Sequence, residues 1–551
     1  MQIVPSRTSS ESPFMTPFSS RLHPASESFQ AQRTGMLALI GELRALEQRA
    51  ADASARAAAS FERRGALLPR ERLARLLDPG RPFLPLASLA GYGMDDPDPQ
   101  ACVPGGSQIA GIGFVSGVRC MVVVTDSGID AGALTESGNQ KLMRCQELAL
   151  QNKLPFVHLV ESAGSNLRKY RVEKFIRGGG MFYNLARLSA AGLPVVTVVH
   201  GSSTAGGAYM PGLSDYVVMV RGQAKAFLAG PPLLKAATGE IATDEELGGT
   251  DMHATLSGLA EYVAEDDAHA IALARDILAT LSWERPEPVR DVVPPRLDPQ
   301  ELAGVMVLEH KKPVDMREVI ARIVDDSRWM DFKPDYGAAT LCGHARIEGH
   351  PVAFISNNGP IDPSGATKAA QFIQLCNQSG TPIVFLQNTT GFIVGRASEE
   401  AGMIKHGAKM IQALANSQVP QVTLYCGASF GAGNYGMCGR AFEPRFCFSW
   451  PNARTAVMGG EQAATTLEIV ARQQAARKDK PVDEARLAAQ KSEIVANFDA
   501  QASAFYTSGH LLDDGVIDPR DTRAVLAFVL ATAREAQART PRAMQFGVAR
   551  F

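Results

Sequence analysis

Two stretches of this chain are the same object at a fixed separation, and that duplication limits the possible folds more than any other feature. Ser203-Thr204-Ala205-Gly206-Gly207-Ala208-Tyr209 follows a strand-forming run, Val195 to His200. Ser429-Phe430-Gly431-Ala432-Gly433-Asn434-Tyr435 follows another, Gln421 to Cys426. Pro194 stands 12 residues before Gly206, and Pro420 stands 12 before Ala432. Lys141 precedes Pro155 by 14 residues, as Lys368 precedes Pro382. Glu161-Ser162-Ala163-Gly164 lies 227 positions before Asn388-Thr389-Thr390-Gly391, and the runs Phe156–Val160 and Ile383–Gln387 share that offset. A period this long marks a duplicated domain rather than a solenoid. The 551 residues would allow three or four domains on length alone; the repeat reduces them to two large ones.

The order of elements supports an α/β plan in each copy. In the first, Gly111 to Gly117 leads into the strand Arg119 to Val124 and reads as a β-hairpin. A helix from Lys141 to Asn152, a buried strand from Leu154 to Val160 and a second helix from Asn184 to Gly192 precede the first glycine turn. The second copy repeats this with a hairpin over Cys342 to Ile355, a helix from Lys368 to Cys376, a strand from Pro382 to Gln387 and a helix from Gly402 to Asn416. Further on, Glu484 to Phe498 reads as a charged helix and Thr522 to Ala536 as a final one. Residues 1–29, rich in Ser, Pro and Thr without a period, read as a flexible tail, and Met36 to Arg64 as helix. Five prolines between Trp283 and Pro299 mark an extended linker. The domains are therefore expected at 30–290 and 300–551.

Two adjacent glycines let backbone approach a ligand closely. A helix starting there presents free N–H groups that favour negative charge, which makes an oxyanion hole without side chains. A Gly-Gly turn alone signals packing more often than catalysis; its duplication is what points to chemistry. Other chemistries lack support. Gly431-Ala432-Gly433-Asn434-Tyr435-Gly436 fits the dinucleotide GxGxxG pattern, but the acidic residue expected about 20 residues on is replaced by Phe448-Ser449-Trp450-Pro451. The eight cysteines form no CxxC pair, and His158, His200, His253, His344 and His406 lack ligand spacing, so no metal site is expected. Cys438 has no His/Asp pattern to activate it, and Glu265-Asp266-Asp267 reads as a solvated cap. A net charge of −2 gives no reason to expect nucleic acid, and no apolar run reaches the roughly 18 residues of a membrane span. Two backbone oxyanion sites remain. They suit a reaction in which two different carbonyl oxygens become negative, one in each of two substrates.

The motifs Phe227-Leu228-Ala229-Gly230-Pro231-Pro232-Leu233, Ala237-Thr238-Gly239-Glu240, Glu246-Leu247-Gly248-Gly249, Gly407-Ala408-Lys409-Met410, Gly431 to Arg440 and Trp450-Pro451-Asn452-Ala453-Arg454 complete a specific pattern. From about Ser20 to Phe551 the chain resembles the carboxyltransferase (β) subunit of biotin-dependent acyl-CoA carboxylases. The resemblance implies two tandem crotonase-like domains, the ββα spirals of the ClpP/crotonase superfamily. The first would bind acyl-CoA at Ala163, Gly164, Gly178 and Ala205, with Gly206 and Gly207 as the catalytic amides. The second would bind carboxybiotin at Gly391, Phe392, Gly431 and Asn434, with Ala432 and Gly433 as the catalytic amides. Active sites in such enzymes form where the first domain of one subunit meets the second domain of another.

The family also implies a partner. No Met-Lys-Met-type biotinylation site or Gly-rich ATP-grasp signature is found in the sequence, so biotin, ATP and Mg would belong to an α subunit carrying biotin carboxylase and biotin carrier. A hexameric β core within an assembly of six α and six β subunits is implied, cytoplasmic in a bacterium or in the mitochondrial matrix of a eukaryote. The segment Gly431 to Arg440 looks like the branch acting on 3-methyl-2-enoyl-CoA thioesters, which holds methylcrotonyl-CoA carboxylase (leucine catabolism) and geranyl-CoA carboxylase (terpenoid catabolism). Methylcrotonyl-type sequences carry a Phe where alignment on Phe182-Tyr183-Asn184 puts Gly178, and Ile129 to Leu134 also departs from them. A missing ring opens volume for a longer chain, whereas three adjacent glycines also fit a plain flexible loop. Geranyl-CoA is the preferred expectation and methylcrotonyl-CoA the alternative. Two other classes stay open: a stand-alone crotonase-like hydratase, isomerase or decarboxylase, and a non-catalytic assembly subunit.

Overall fold

The computed structural model describes residues 16–96, 98–164, 171–283, 292–309, 312–478 and 481–549. Each copy is built on its own sheet. Across the first run Leu84–Pro85, Gln108–Val115, Val118–Thr125, Phe156–Ser162, Val195–Thr204, Tyr216–Val220 and Tyr262–Ala264, with Lys225–Phe227 paired to the end of Val195–Thr204. Across the second run Phe446–Ser449, Gln421–Phe430, Ile383–Thr389, His350–Asn357, Thr340–Ile347 and Met330–Asp331, with Arg454–Ala456 paired to Gln421–Phe430. Both begin with the expected antiparallel hairpin and continue with parallel strands. Val118–Thr125 is buried at every position, as a continuous apolar run must be when both faces of a sheet are covered.

The helix after each hairpin is set by the same devices. Thr135 and Asp362 are the N-caps of Glu136–Gln151 and Pro363–Ser379; both have φ −90° and ψ 169°, and each side chain accepts from a glycine amide, Gly138 or Gly365. Such caps satisfy an otherwise orphan helix donor. The buried lysines of those helices are also spent alike. Lys141 Nζ donates to the Gly105 and Gln108 carbonyls and Lys368 Nζ to that of Lys333; burial depresses both amines, Lys141 to about 8.

One apolar cluster joins the copies. It contains Phe29, Met36 and Ile40 with Met121, Phe156 and Leu185 of the first, and Ile320, Phe354, Leu424, Trp450 and Leu526 of the second. Polar contacts cross the same boundary: Arg144 grips Asp514, and Arg119 grips Glu535.

Three expectations need correction. The N-terminal tail is not free over its whole length. Phe18 N donates to Ser327, Ser20 and Arg21 bond Glu318, and a helix runs from Glu27 to Ala55 with Phe29 buried; residues 1–15 lie outside the described residues. A helix at Gly460–Arg477 was not anticipated; it pairs with Glu484–Ala502. Asp267 is no solvated cap. It is buried and bonds Arg72 (2.9 Å) and His200 (2.6 Å), while Asp266 caps the helix Asp267–Thr280. Of the proline linker, Pro286 and Pro288 fall outside the described residues; Arg296 and Leu297 dock on Ser327 Oγ.

Candidate active site

Each glycine turn sits at the C-terminal edge of its sheet, where a central strand runs out. Val195–Thr204 ends in the tight turn Ala205–Ala208 and the helix Tyr209–Gly212. Gln421–Phe430 ends in the short helix Ala432–Gly436. Entry into both needs a left-handed residue: Ala205 at φ +54°, and Gly431 at φ +57°. The second copy meets that demand with glycine, whereas the first holds an alanine in a conformation that costs about 1–2 kcal/mol. Gly206, Gly207, Ala432 and Gly433 then occupy the first turn, where helix geometry leaves amides without intrahelical acceptors.

The neighbouring strand supplies the opposite wall. Ser162 pairs with Ser203 and Thr389 with Ser429, each just after a register shift. Gly164 and Gly391 follow with φ +83° and +117°, and their amides donate to Ser162 Oγ and Thr389 Oγ1, both at 3.2 Å. A Cβ on Gly164 would stand 3.1 Å from the Thr204 carbonyl, and one on Gly391 3.3 Å from that of Phe430. Both walls are therefore bare backbone, pressed to the limit of approach. Ala163 is exposed beside Gly164 and donates its amide to Ala131.

Gly433 is tighter than Gly207. A Cβ at 433 would come within 2.8 Å of Gly391 Cα, whereas one at 207 would meet Ser203 Oγ at 3.2 Å and Ser162 Cβ at 3.4 Å. Gly206 borders Phe182, Leu134 and Met181 at 3.5–4.0 Å, an apolar rim on the first hole. Gly178 is buried at the end of the helix Val172–Gly178, and a Cβ there would stand 3.2 Å from Asn139 Nδ2. Gly180 opens the next helix, Gly180–Ala190.

Two predicted biotin-side residues turn inward. The Phe392 ring lies against Gly407 and Gly436, whose added Cβ atoms would meet it at 3.4 and 2.9 Å. Asn434 Nδ2 donates to Ser429 Oγ at 2.7 Å. Both support the turn from behind. Gln387, missed in the sequence, completes that support: it accepts from Ser429 Oγ and donates to the Met437 carbonyl. Its signal was a polar amide closing an apolar strand, at the position matching Val160 of the first copy.

Beneath the first turn lies charge instead. Glu161 binds Arg64 (2.6 Å) and Arg72 (2.7 Å); Arg72 also binds Asp267, whose other oxygen bonds His200. Burial would raise the Asp267 carboxyl, but the His200 bond, with Arg72 and the Leu67 amide, holds it at about 2. Desolvation and then Arg72 lower His200, which stays neutral and donates through Nδ1. His158 is buried and pushed down to about 3 by desolvation. Burial drives the Cys438 thiol up to about 12, so no thiolate nucleophile is available there. Among the described residues no cluster of His, Cys, Asp and Glu is placed to hold a metal, and no helix is long and apolar enough to cross a membrane.

Residues 61–547 match the carboxyl transferase domain. The chain is 49% identical over 470 residues to a probable biotin-dependent acyl-coenzyme A carboxylase beta2 subunit of Mycobacterium tuberculosis, covering 85% of this chain and 88% of that protein. It is 46% identical over 493 residues to the mitochondrial methylcrotonoyl-CoA carboxylase beta chain of Dictyostelium discoideum, covering 89% and 83%. Its fold superposes on the geranyl-CoA carboxylase beta subunit of P. aeruginosa with a TM-score of 0.90 and 52% identity, over 97% of this chain and 100% of that one. Two mostly parallel sheets, each ending in a glycine turn, define tandem crotonase-like domains, and the chain belongs to the carboxyl transferase family. Within that family it is the carboxyltransferase subunit of an acyl-CoA carboxylase, an enzyme of the carbon–carbon bond-forming class.

Proposed function

We propose that this subunit carboxylates the γ carbon of a 3-methyl-2-enoyl-CoA thioester, with geranyl-CoA as the preferred substrate. The observation that carries the mechanism is the pair of backbone turns, alike in register and each entered through a residue of positive φ, on two separate strands. Carboxybiotin, carried by a partner α subunit that uses ATP and Mg, would supply CO2 as its N–carboxyl bond breaks, and the freed nitrogen would take the substrate's γ proton. The residues around the second turn fit such a group, since Gly391 and Gly431 are bare backbone at positive φ, where a side chain would be strained and would press on the Phe430 and Val457 carbonyls. Gly391 and Gly431 would line its site, Phe392 and Asn434 would support the turn from behind, and the Ala432 and Gly433 amides would donate to its ureido oxygen. Gly206 and Gly207 donate to the thioester oxygen of the substrate held beside Ala163, Gly164, Gly178 and Ala205. As the γ C–H bond breaks, its electron pair delocalises through the double bond onto that oxygen. The pair returns as the new C–C bond forms. Each amide is worth about 3 kcal/mol at the transition state.

The substrate preference is supported by the 52% identity with the geranyl-CoA enzyme's subunit and by Gly178. The methylcrotonyl-CoA alternative is supported by the 46% identity with the Dictyostelium chain, whose mitochondrial name also favours the matrix for a eukaryotic source; a bacterial source implies the cytoplasm. Oligomerisation is supported by the repeat itself. Arg144 lies at the face that meets the second copy, and its 227-offset counterpart, Gln371, is exposed beside a cleft of about 480 Å³. A face used within one chain and open in its duplicate suits head-to-tail closure with further copies, as a hexameric β core requires.

The test is bicarbonate fixation by the complex reconstituted with an α subunit, using both thioesters. Geranyl-CoA should be the better substrate. Good turnover of methylcrotonyl-CoA with none of geranyl-CoA would reverse the preference. Gly207→Val should lower carboxylation by about two orders of magnitude while the fold survives, because an added Cβ already presses on Ser203 Oγ at 3.2 Å and would shift the turn that carries the amide. Near-normal rates in a folded Gly207→Val protein would remove the first turn from the mechanism. Acyl-CoA turnover by this chain without biotin would favour a stand-alone crotonase-like enzyme instead.

A further inference from the structure

We infer that Gln387, Ser429 and Asn434 are positioning residues that fix the second turn for carboxyl transfer; this rests on the reading of Ala432 and Gly433 above. The three side chains form one string. Asn434 Nδ2 donates to Ser429 Oγ at 2.7 Å, Ser429 Oγ donates to Gln387 Oε1 at 2.6 Å, and Gln387 Nε2 donates to the Met437 carbonyl at 2.8 Å. Gln387 and Ser429 are fully buried. Asn434 lies within the helix Ala432–Gly436 and Met437 is its C-cap, so both ends of the string land on the element that carries the two amides. Its middle is anchored on two strands, Ile383–Thr389 and Gln421–Phe430.

The direction of every proton is determined. A carbonyl only accepts, so the nitrogen of Gln387 must face Met437 and its oxygen must face Ser429. The Ser429 proton is thereby committed, and its lone pair is left for Asn434. Asn434 Nδ2 also reaches Tyr425 Oη at 3.5 Å, and that hydroxyl accepts from the Arg440 amide at 3.1 Å. The first copy lacks this device. Val160 and Ala208 occupy the positions of Gln387 and Asn434, and Ser203 bonds the Gly207 carbonyl directly at 2.8 Å. Only the serine is shared. The one-turn helix of the second copy is too short to hold its own shape, and the string supplies the missing rigidity.

The experiment compares Gln387→Val, which installs the first copy's residue, with Ser429→Ala, the double variant and Ser429→Thr in the reconstituted complex. We expect kcat to fall about 10- to 100-fold in either single variant, as a small misplacement of a donor does. KM for acyl-CoA should stay within about twofold, because the string touches only the biotin-side turn. The double variant should be no worse than the more impaired single one, since members of one unit are non-additive, and Ser429→Thr should recover most of the rate. Wild-type kcat in folded single variants, or losses that multiply in full, would overturn the inference. So would losses explained wholly by a lower folded fraction in circular dichroism. If Gln387→Val does not fold, Ser429→Ala and Ser429→Thr decide alone. Ala432→Pro separates this inference from the reading beneath it, because proline at the first helical position removes one N–H with little backbone change. A wild-type rate in Ala432→Pro overturns the amide reading. A dead Ala432→Pro with active string variants overturns the positioning role only.

Discussion

The two copies keep one backbone and support it in opposite ways. Under the first turn, the buried charges of Glu161, Arg72 and Asp267 form a network closed by the more exposed Arg64 and the neutral His200. Under the second, Asn388 stands where Glu161 does, and the support is a neutral chain of amides and a hydroxyl. Both Glu161 and Asn388 lie against a glycine on the next strand, Gly201 and Gly427, whose added Cβ atoms would come within 2.8 and 2.5 Å. The close approach of strand to side chain is therefore retained while the charge is not. Buried ion pairs add little net stability but are costly to break. A neutral string holds atoms in place without that risk. The difference teaches that the turn geometry needs a filled polar floor, and that more than one chemistry provides it.

The largest effect should come from breaking the charged floor. Arg72 is almost fully buried and touches both Glu161 and Asp267. Arg72→Met leaves two carboxylates desolvated and should cost about 3–5 kcal/mol. Asn388→Ala on the matching strand should cost about 1 kcal/mol or less. Urea unfolding of both variants would measure this, and equal costs would erase the comparison.

Protons should act on the two copies in opposite directions. Asp267 is held at about 2, below its ordinary 3.8. Its stabilisation is present above pH 4 and is lost as pH falls toward 2. Asp513, in the second copy, is pushed by burial up to about 6 despite accepting from Ser449 and the Gly515 amide. Folded Asp513 holds its proton through the window from about 4 to 6, where the unfolded chain has released it. Stability from this group therefore falls as pH rises across that window, and the full penalty, about 3 kcal/mol, applies at pH 7. Asp513→Asn should raise the unfolding midpoint at pH 7 and flatten its slope between pH 4 and 6. A variant whose pH profile parallels the wild type would show that Asp513 is not the group responsible.

How much of this was legible follows from how far apart the partners lie. The turns could be read because Gly206, Gly207, Gly431 and Gly433 announce their conformation locally and because the offset repeats them. The hairpins were legible for the same reason. Asp267 was misread because its partners, Arg72 and His200, are 195 and 67 residues away. The segment from Pro17 to Phe29 looked structureless for want of internal periodicity; what orders it is Glu318 and Ser327, some 300 residues on. The helix Gly460–Arg477 escaped notice because Leu467, Ile469 and Val470 stay about half exposed, so its apolar residues do not mark a buried face. Gln387 was taken as one more strand residue, although the offset to Val160 already set it apart.

The smallest expected effect concerns substrate length, and it turns on a residue outside both floors. Gly178 ends the helix Val172–Gly178 with its Cα buried toward Asn139. A single added carbon meets Asn139 Nδ2 at 3.2 Å, the end of a side chain that can give way. Gly178→Ala should thus change stability by no more than about 1 kcal/mol, since alanine also favours the helix, and should leave the ratio of geranyl-CoA to methylcrotonyl-CoA turnover intact. If the proposed acyl site borders Gly178, Gly178→Phe adds a ring that would compete with the extra isoprene unit of the longer chain. On the proposed mechanism, overpacking should then penalise geranyl-CoA by about 1–3 kcal/mol, while the shorter thioester, which would share the Gly206 and Gly207 amides, should lose little. The readout is the ratio of kcat/KM for the two substrates in wild type, Gly178→Ala and Gly178→Phe. A ratio that drops already in Gly178→Ala would locate the effect in Asn139 and the helix end rather than in pocket volume. A ratio unchanged in Gly178→Phe would move the determinant to the apolar rim of Leu134, Met181 and Phe182 around Gly206.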